Sequence, residues 1–111
     1  MTYINDFYGK CIYKVDGNQI LNFTGTCLYK LDGRYLRTFT GEVKYLIEGS
    51  EIKEFSLQTI YKIDGEYVKT FTGQIVYRID GNQIKNFGNT ILYKIDGYIS
   101  REMLMALIAI L

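Results

Sequence analysis

Six carboxylates stand sixteen residues apart along this chain: Asp16, Asp32, Glu48, Asp64, Asp80 and Asp96, each followed by glycine. Gathered on one circle, they could hold a hard cation, since calcium and magnesium take oxygen ligands. The local spacing argues otherwise. "DGNQI" does not supply several oxygen ligands from one loop, as a calcium loop must, and aspartate before glycine is what a tight turn prefers. A second set is basic. Lys14, Lys30, Lys62, Arg78 and Lys94 precede the acids by two positions, and Arg37, Lys53, Lys69 and Lys85 follow them by five. Such a band could meet phosphate groups on lipid or nucleic acid, but lysines on strands more commonly form a solvated outer face that discourages edge pairing. A third set is aromatic, with tyrosine at 13, 29, 45, 61, 77 and 93. A tyrosine ladder could stack on sugars. Its alternation with Val15, Leu31, Ile47, Ile63, Ile79 and Ile95 points to a core instead, where buried hydroxyls would need partners.

Catalysis finds no foothold in these sets. The chain has no histidine, so the usual general base and the commonest metal ligand are missing. Cys11 and Cys27 occupy a slot that later repeats fill with Val43, Thr59, Ile75 and Ile91, and are read as apolar fillers rather than a disulfide. No nucleophile, base and orienting partner stand together, and no glycine-rich loop leads into a helix. Neither an enzyme nor a cofactor is expected. With 13 basic and 12 acidic side chains the net charge is +1, which gives no global field for nucleic acid.

The elements that carry these sets follow from the repeat. At 111 residues, 48% apolar and 15% aromatic, the chain is one domain with a real core. Tyrosine, phenylalanine (7, 23, 39, 55, 71, 87) and the acid–glycine pair all share the sixteen-residue period, the mark of a modular fold whose units bury their apolar faces against neighbours. "IYKIDGEYVKTF" reads as a β-hairpin, because an alternating run enters Asp-Gly. A two-residue type I′ loop at Asp64-Gly65 would pair Ile63 with Glu66, Lys62 with Tyr67 and Tyr61 with Val68. Tyr61, Ile63 and Val68 then face the core, and Lys62, Tyr67 and Lys69 the outside. Tyr35 and Tyr67 would lie opposite Lys30 and Lys62, in reach of cation–π contact. A second turn, Thr-Gly at 24–25, 40–41 and 72–73, joins the hairpins, with Asn89 standing in for its glycine. Leu57 stands there in the third unit, so that turn is expected to differ.

Hairpin repeats span residues 11–97. The sixth hairpin has no second strand after Asp96-Gly97, yet "YINDF" at the N-terminus matches one, with Ile4 aligned to Ile20 and Phe7 to Phe23. Residues 2–8 are therefore expected to close a ring and remove its edges. Twelve strands about 4.8 Å apart, tilted about 40°, enclose a radius of roughly 12 Å, too wide for side chains alone to fill. The tail supplies the filling. Ser100 is an N-cap, and Met103 to Leu111 is apolar on every side, as a fully buried helix over 100–111 should be. The fold class is thus all-β with one C-terminal α-helix, a closed antiparallel barrel or flower of about twelve short strands around a central hydrophobic helix.

That plan resembles the tubby and phospholipid-scramblase-like fold, through its strand count and the apolar "EMLMALIAIL". The aspartate-glycine units also resemble the small bacterial hairpin-repeat proteins called β-flowers, over nearly the whole chain. The tubby likeness implies binding to phosphoinositide head groups; no signature residue of that family carries over.

The expected function is a non-enzymatic binding or interaction module for a protein or small ligand. The alternatives are peripheral binding to anionic lipid head groups, or binding to a cell-wall polysaccharide. The third repeat departs most from the others, so Lys44, Leu46, Glu48 and Leu57 are the candidate partner surface. The N-terminus lacks a basic stretch leading into an apolar run, and the tail is far short of the roughly 20 residues that span a bilayer. The expectation is a cytoplasmic monomer or small homo-oligomer that could touch a membrane surface without crossing it.

Overall fold

The computed structural model describes residues 1–111. Each hairpin is a six-residue strand followed by a shorter one. The first four hairpins are β2 (Cys11–Asp16) with β3 (Gln19–Asn22), β4 (Cys27–Asp32) with β5 (Tyr35–Thr38), β6 (Val43–Glu48) with β7 (Glu51–Glu54), and β8 (Thr59–Asp64) with β9 (Tyr67–Thr70). The fifth joins β10 (Ile75–Asp80) to β11 (Gln83–Lys85), and β12 (Ile91–Asp96) takes as its partner the first strand of the chain, β1 (Thr2–Asp6). Ile4 lies opposite Ile95 and Asn5 opposite Lys94, so twelve antiparallel strands form a closed barrel. The ring closes as the repeat requires, although the closing strand ends at Asp6 and leaves Phe7 and Tyr8 in a turn.

The hairpin loops correct the expected register. Ile63 pairs with Val68 and Asp64 with Tyr67, leaving Gly65 and Glu66 as the loop. Aspartate stays extended and ends the strand, so only the first loop residue needs positive φ. Gly65 supplies it at 62°, which makes the turn type II′, a hand that matches the twist of the flanking strands. The pairing slides by two residues, an even step, and every side chain keeps the face assigned to it. The cation–π partners do change. Arg37 sits over the Tyr35 ring at 5.4 Å and Lys14 over Tyr3 at 5.9 Å, while Tyr67 faces Asp64 and Arg78.

Inside the barrel, the short strands contribute a circle of fully buried side chains: Ile4, Ile20, Leu36, Ile52, Val68 and Ile84. The helix α1 (Arg101–Ile110) fills the space they enclose. The Met103 amide donates to Ser100 Oγ at 3.2 Å, capping the first turn. Met103, Met105, Ala106, Leu107, Ile108 and Ala109 are all buried, and those positions point in every direction around the axis, so the helix is a plug with no face left for solvent. Ten residues rise about 15 Å, comparable with the 17 Å depth of a disc 35 by 33 Å across. The helix comes nearest to β6 and β7, across the ring from the strand that leads into it.

The lead-in is clamped. Thr2 Oγ1 donates to the Tyr98 carbonyl, tying β1 to the entry of the helix. Between them Gly97 has φ 120°, and a Cβ there would stand 2.9 Å from Thr2 Oγ1 and 3.2 Å from Thr2 Cα. Only glycine fits that corner.

Candidate functional site: the two rims and the wall between them

The rim of hairpin turns carries the six acids, all exposed and all at strand ends. Four of them are partnered by the basic residue five positions on. Lys85 Nζ lies 2.8 Å from Asp80 Oδ2, Lys69 Nζ 3.1 Å from Asp64 Oδ2, and Lys53 Nζ 3.8 Å from Glu48 Oε1. Arg37 Nε is 3.2 Å from Asp32 Oδ2, a charge contact whose angle is too poor for a hydrogen bond. The Lys85 ammonium holds the Asp80 carboxyl below its ordinary value, by hydrogen bond first and by charge second. Leu21 fills the corresponding slot beside Asp16, and Asn5 the one beside Asp96. No three histidine, cysteine or acidic side chains converge as a metal site would require.

On the wall, Lys30 faces Arg37, Lys62 faces Lys69 and Arg78 faces Lys85 across the strands. An open cleft of about 480 Å³ lies between Tyr67, Gln74, Ile75, Arg78, Phe87 and Asn89. Its cation is engaged already: Arg78 Nε donates to Glu66 Oε1 at 3.3 Å, and its Nη1 to Asn89 Oδ1 at 3.0 Å. Cys11 and Cys27 are free, and each thiol donates to the carbonyl of the tyrosine two residues on. A β-bulge puts their slot on this wall, because Asn5 pairs with Cys11 directly after Ile4 pairs with Tyr13.

The opposite rim is different in kind. Its six turns share one construction, shown by Asp6-Phe7-Tyr8-Gly9. The Gly9 amide donates to the Asp6 carbonyl at 3.0 Å, and the Asp6 amide to the Lys10 carbonyl at 2.8 Å. Neither central residue has positive φ, while Gly9 does, at 84°, which is a type I turn closed by a glycine bulge. In five of the six turns the residue before phenylalanine braces the loop through the loop's amides, and in the other the Glu54 carboxylate accepts only from the Ser56 hydroxyl. Asp6 Oδ1 accepts from the Tyr8 and Lys10 amides at 2.9 Å each, and Asn86 Oδ1 from the Gly88 and Thr90 amides at 2.9 and 3.0 Å. In Thr38 and Thr70 the hydroxyl accepts from the Glu42 and Gln74 amides. Phenylalanine therefore sits at the tip of a rigid turn, outside the sheet.

All six phenylalanines are at least 60% exposed. Adjacent turns are two strand spacings apart, about 10 Å or more, and the one aromatic contact on the rim is Phe7 edge-on to Tyr8, with centroids 4.9 Å apart. The rings do not cover one another. Within their circle stand the six tyrosines, half-buried and facing inward. Burial, and then the neighbouring tyrosines, push the hydroxyls of Tyr13, Tyr45 and Tyr77 up from the ordinary value. Tyr13 is influenced by Tyr29 and Tyr93, Tyr45 by Tyr29 and Tyr61, and Tyr77 by Tyr61 and Tyr93, so the ladder is a closed ring. Charge is scarce here: the six five-residue turns contain only Asp6, Lys10, Glu42 and Glu54.

The four residues of the irregular third repeat are not brought together. Glu48 belongs to the acidic rim, where Lys53 and Arg34 pair with it. Leu46 is buried on the wall between Tyr35 and Lys53, and Lys44 is exposed at a bulge. Leu57 alone reaches the phenylalanine rim. Its turn has the same backbone as its sisters, contrary to expectation: the Leu57 amide donates to the Glu54 carbonyl at 2.8 Å, and Leu57 takes φ 71° where four of them have glycine and the fifth has Asn89 at 67°. The hydrogen-bond frame outweighs the side chain's preference, at a cost of about 1–2 kcal/mol. The phenylalanines, by contrast, were visible as a period without a role. The signal that could have placed them is the turn chemistry around Phe7, Phe23, Phe39 and Phe71, with Asp, Asn or Thr before and glycine two positions after; Phe87 has Asn89 in the glycine position and Phe55 has neither.

No family model, no curated protein and no solved structure matches this chain.

Proposed function

We propose that this protein is a non-catalytic binding module that works through its phenylalanine rim. The observation that carries the reading is the set of six exposed rings held on braced turns around one end of a rigid barrel. Singly scattered apolar residues on a surface need no explanation, but here one large apolar side chain recurs at the same place on all six turns of one rim. Leu57 supports the same reading, since a strained residue adds another exposed apolar side chain to the same rim. The triple variant Phe39→Ser/Phe55→Ser/Phe71→Ser is expected to keep its strand signal and melting temperature while losing most of its enhancement of anilinonaphthalene sulfonate fluorescence. Loss of the fold would assign the rings to structure, and unchanged dye binding would place the adhesive surface elsewhere. Either result overturns the proposal.

A second reading is attachment to anionic head groups through the basic wall, in keeping with the tubby-like likeness. The facing pairs Lys30–Arg37, Lys62–Lys69 and Arg78–Lys85 favour it. It requires binding that appears with acidic lipid and fades with salt. The polysaccharide reading is not proposed, because the tyrosine ladder faces into the barrel instead of forming an outer platform.

A further inference from the structure

The occupant of the phenylalanine rim can be narrowed by how apolar and charged groups are distributed. A protein–protein interface concentrates its apolar anchors in the centre and surrounds them with polar groups. Here the order is reversed. The phenylalanines stand on the periphery, and the polar residues that precede them lie inside their circle: Asn22, Thr38, Glu54 and Thr70 pair with inward-facing tyrosines across the strands, and Asp6 pairs with Tyr93. The six turns share one end of a flat disc and can meet a plane together, whereas their separate rings, with Phe39 and Phe71 beside Lys30 and Lys62 of the wall, offer a partner protein no continuous apolar patch.

Charge adds a direction. The opposite rim bears all six carboxylates of the repeat, whereas three of the six phenylalanine turns contain no charged residue and the others hold only Asp6, Lys10, Glu42 and Glu54, with Arg37 and Arg78 reaching up from the wall to Gly41 and Asn89. The disc is therefore amphipathic along its own axis, with an end suited to water and an end suited to an interface between water and hydrocarbon. Aromatic side chains favour that boundary, and tyrosines with their hydroxyls at the next level inward match its gradient of polarity.

We infer that the protein seats its phenylalanine rim on the surface of a lipid bilayer, binding by insertion of the rings and without selecting for anionic head groups. This rests on the reading of the rim as the binding surface. The barrel itself does not cross the membrane in this arrangement; only the six turns enter.

The chain has no tryptophan, so a single one can be placed as a reporter. Phe71→Trp is expected to shift its emission to the blue on addition of phosphatidylcholine vesicles. Tyr98→Trp, on the far rim where Tyr98 is exposed, is expected not to respond. In vesicle sedimentation the unmodified protein should bind phosphatidylcholine alone, and neither added phosphatidylserine nor raised salt should change the bound fraction much. The triple serine variant should lose at least about tenfold in partitioning, the loss that one well-buried aromatic side chain would account for. Absence of binding to any vesicle overturns the inference, as does binding that needs phosphatidylserine and fades with salt. A concentration-dependent dimer that the triple variant abolishes, without vesicle binding, would make a second copy of this chain the occupant. That outcome sinks the lipid assignment yet leaves the rim as the binding surface, whereas an unfolded triple variant sinks both.

Discussion

The same sixteen-residue phrase sends out two circles of six apolar side chains, and they meet opposite fates. Ile4, Ile20, Leu36, Ile52, Val68 and Ile84 are wholly buried. Three residues further along the chain in every case, Phe7, Phe23, Phe39, Phe55, Phe71 and Phe87 are exposed. Phenylalanine buries as well as isoleucine does wherever it is offered a core. Hydrophobicity therefore does not separate the two circles; backbone position does. The first circle lies on strands whose inner face meets the helix. The second lies one or two steps beyond the last strand residue, where the turn carries it outside the barrel and leaves it mostly exposed.

That contrast can be broken most violently at the helix. Leu107→Asp would put a carboxylate among the buried circle with no partner, a change worth several kcal/mol against a total stability of about 5–15 kcal/mol. Circular dichroism should show loss of the fold; a soluble, folded monomer would mean that the helix does not fill the barrel. The next largest effect compares neighbours. Ile20→Ala should cost about 2–5 kcal/mol in urea unfolding, whereas Phe23→Ala, three residues away, should fall within about 0.5 kcal/mol of the parent. Equal losses would erase the distinction between the circles. Leu57→Gly sharpens it from the other side: relieving the left-handed backbone should stabilise the fold by about 1–2 kcal/mol while removing an exposed apolar side chain from the rim, so stability and vesicle binding should move in opposite directions.

The smallest effect belongs to the tyrosine ring. Burial and neighbouring tyrosines raise the hydroxyls of Tyr13, Tyr45 and Tyr77 above the ordinary value of 10.0. Above that value the unfolded chain loses these protons before the folded one does. The native advantage is thus intact below pH 10 and declines as pH climbs through the raised values. An alkaline titration followed by melting temperature should show that decline, and Tyr45→Phe should reduce it. A melting temperature that holds steady through the ionisation of the tyrosines would remove the ring from the balance.

Most of the barrel was legible because its cues are periodic and local. Alternation named the strands, Asp-Gly marked the hairpin ends, and the missing twelfth strand was recognisable in Ile4 because it repeats Ile20. The apolar tail then had one place large enough to receive it. What periodicity could not supply was the boundary between strand and turn. Asp64 could have been the first loop residue or the last strand residue, and a single positive-φ glycine satisfies the second option with less constraint on aspartate. The same ambiguity hid the phenylalanines, whose spacing is equally regular whether they end a strand or crown a turn. Leu57 departs from expectation for another reason: its local preference disfavours the turn, but the two backbone hydrogen bonds that hold all six turns to one shape are not visible in the sequence.

The pairing of Ile4 with Ile95 has a consequence for how the protein is made. Each hairpin forms from neighbouring residues and can fold as it leaves the ribosome, but the ring cannot shut until β12 has emerged, nearly the whole chain later. At about 5–20 residues per second, the nascent product spends seconds as an arc with two open strand edges and an empty bore, because the helix that fills the bore follows β12 in the chain. Translation speed and protection of those edges should therefore govern the yield of this protein more than the stability of its finished form.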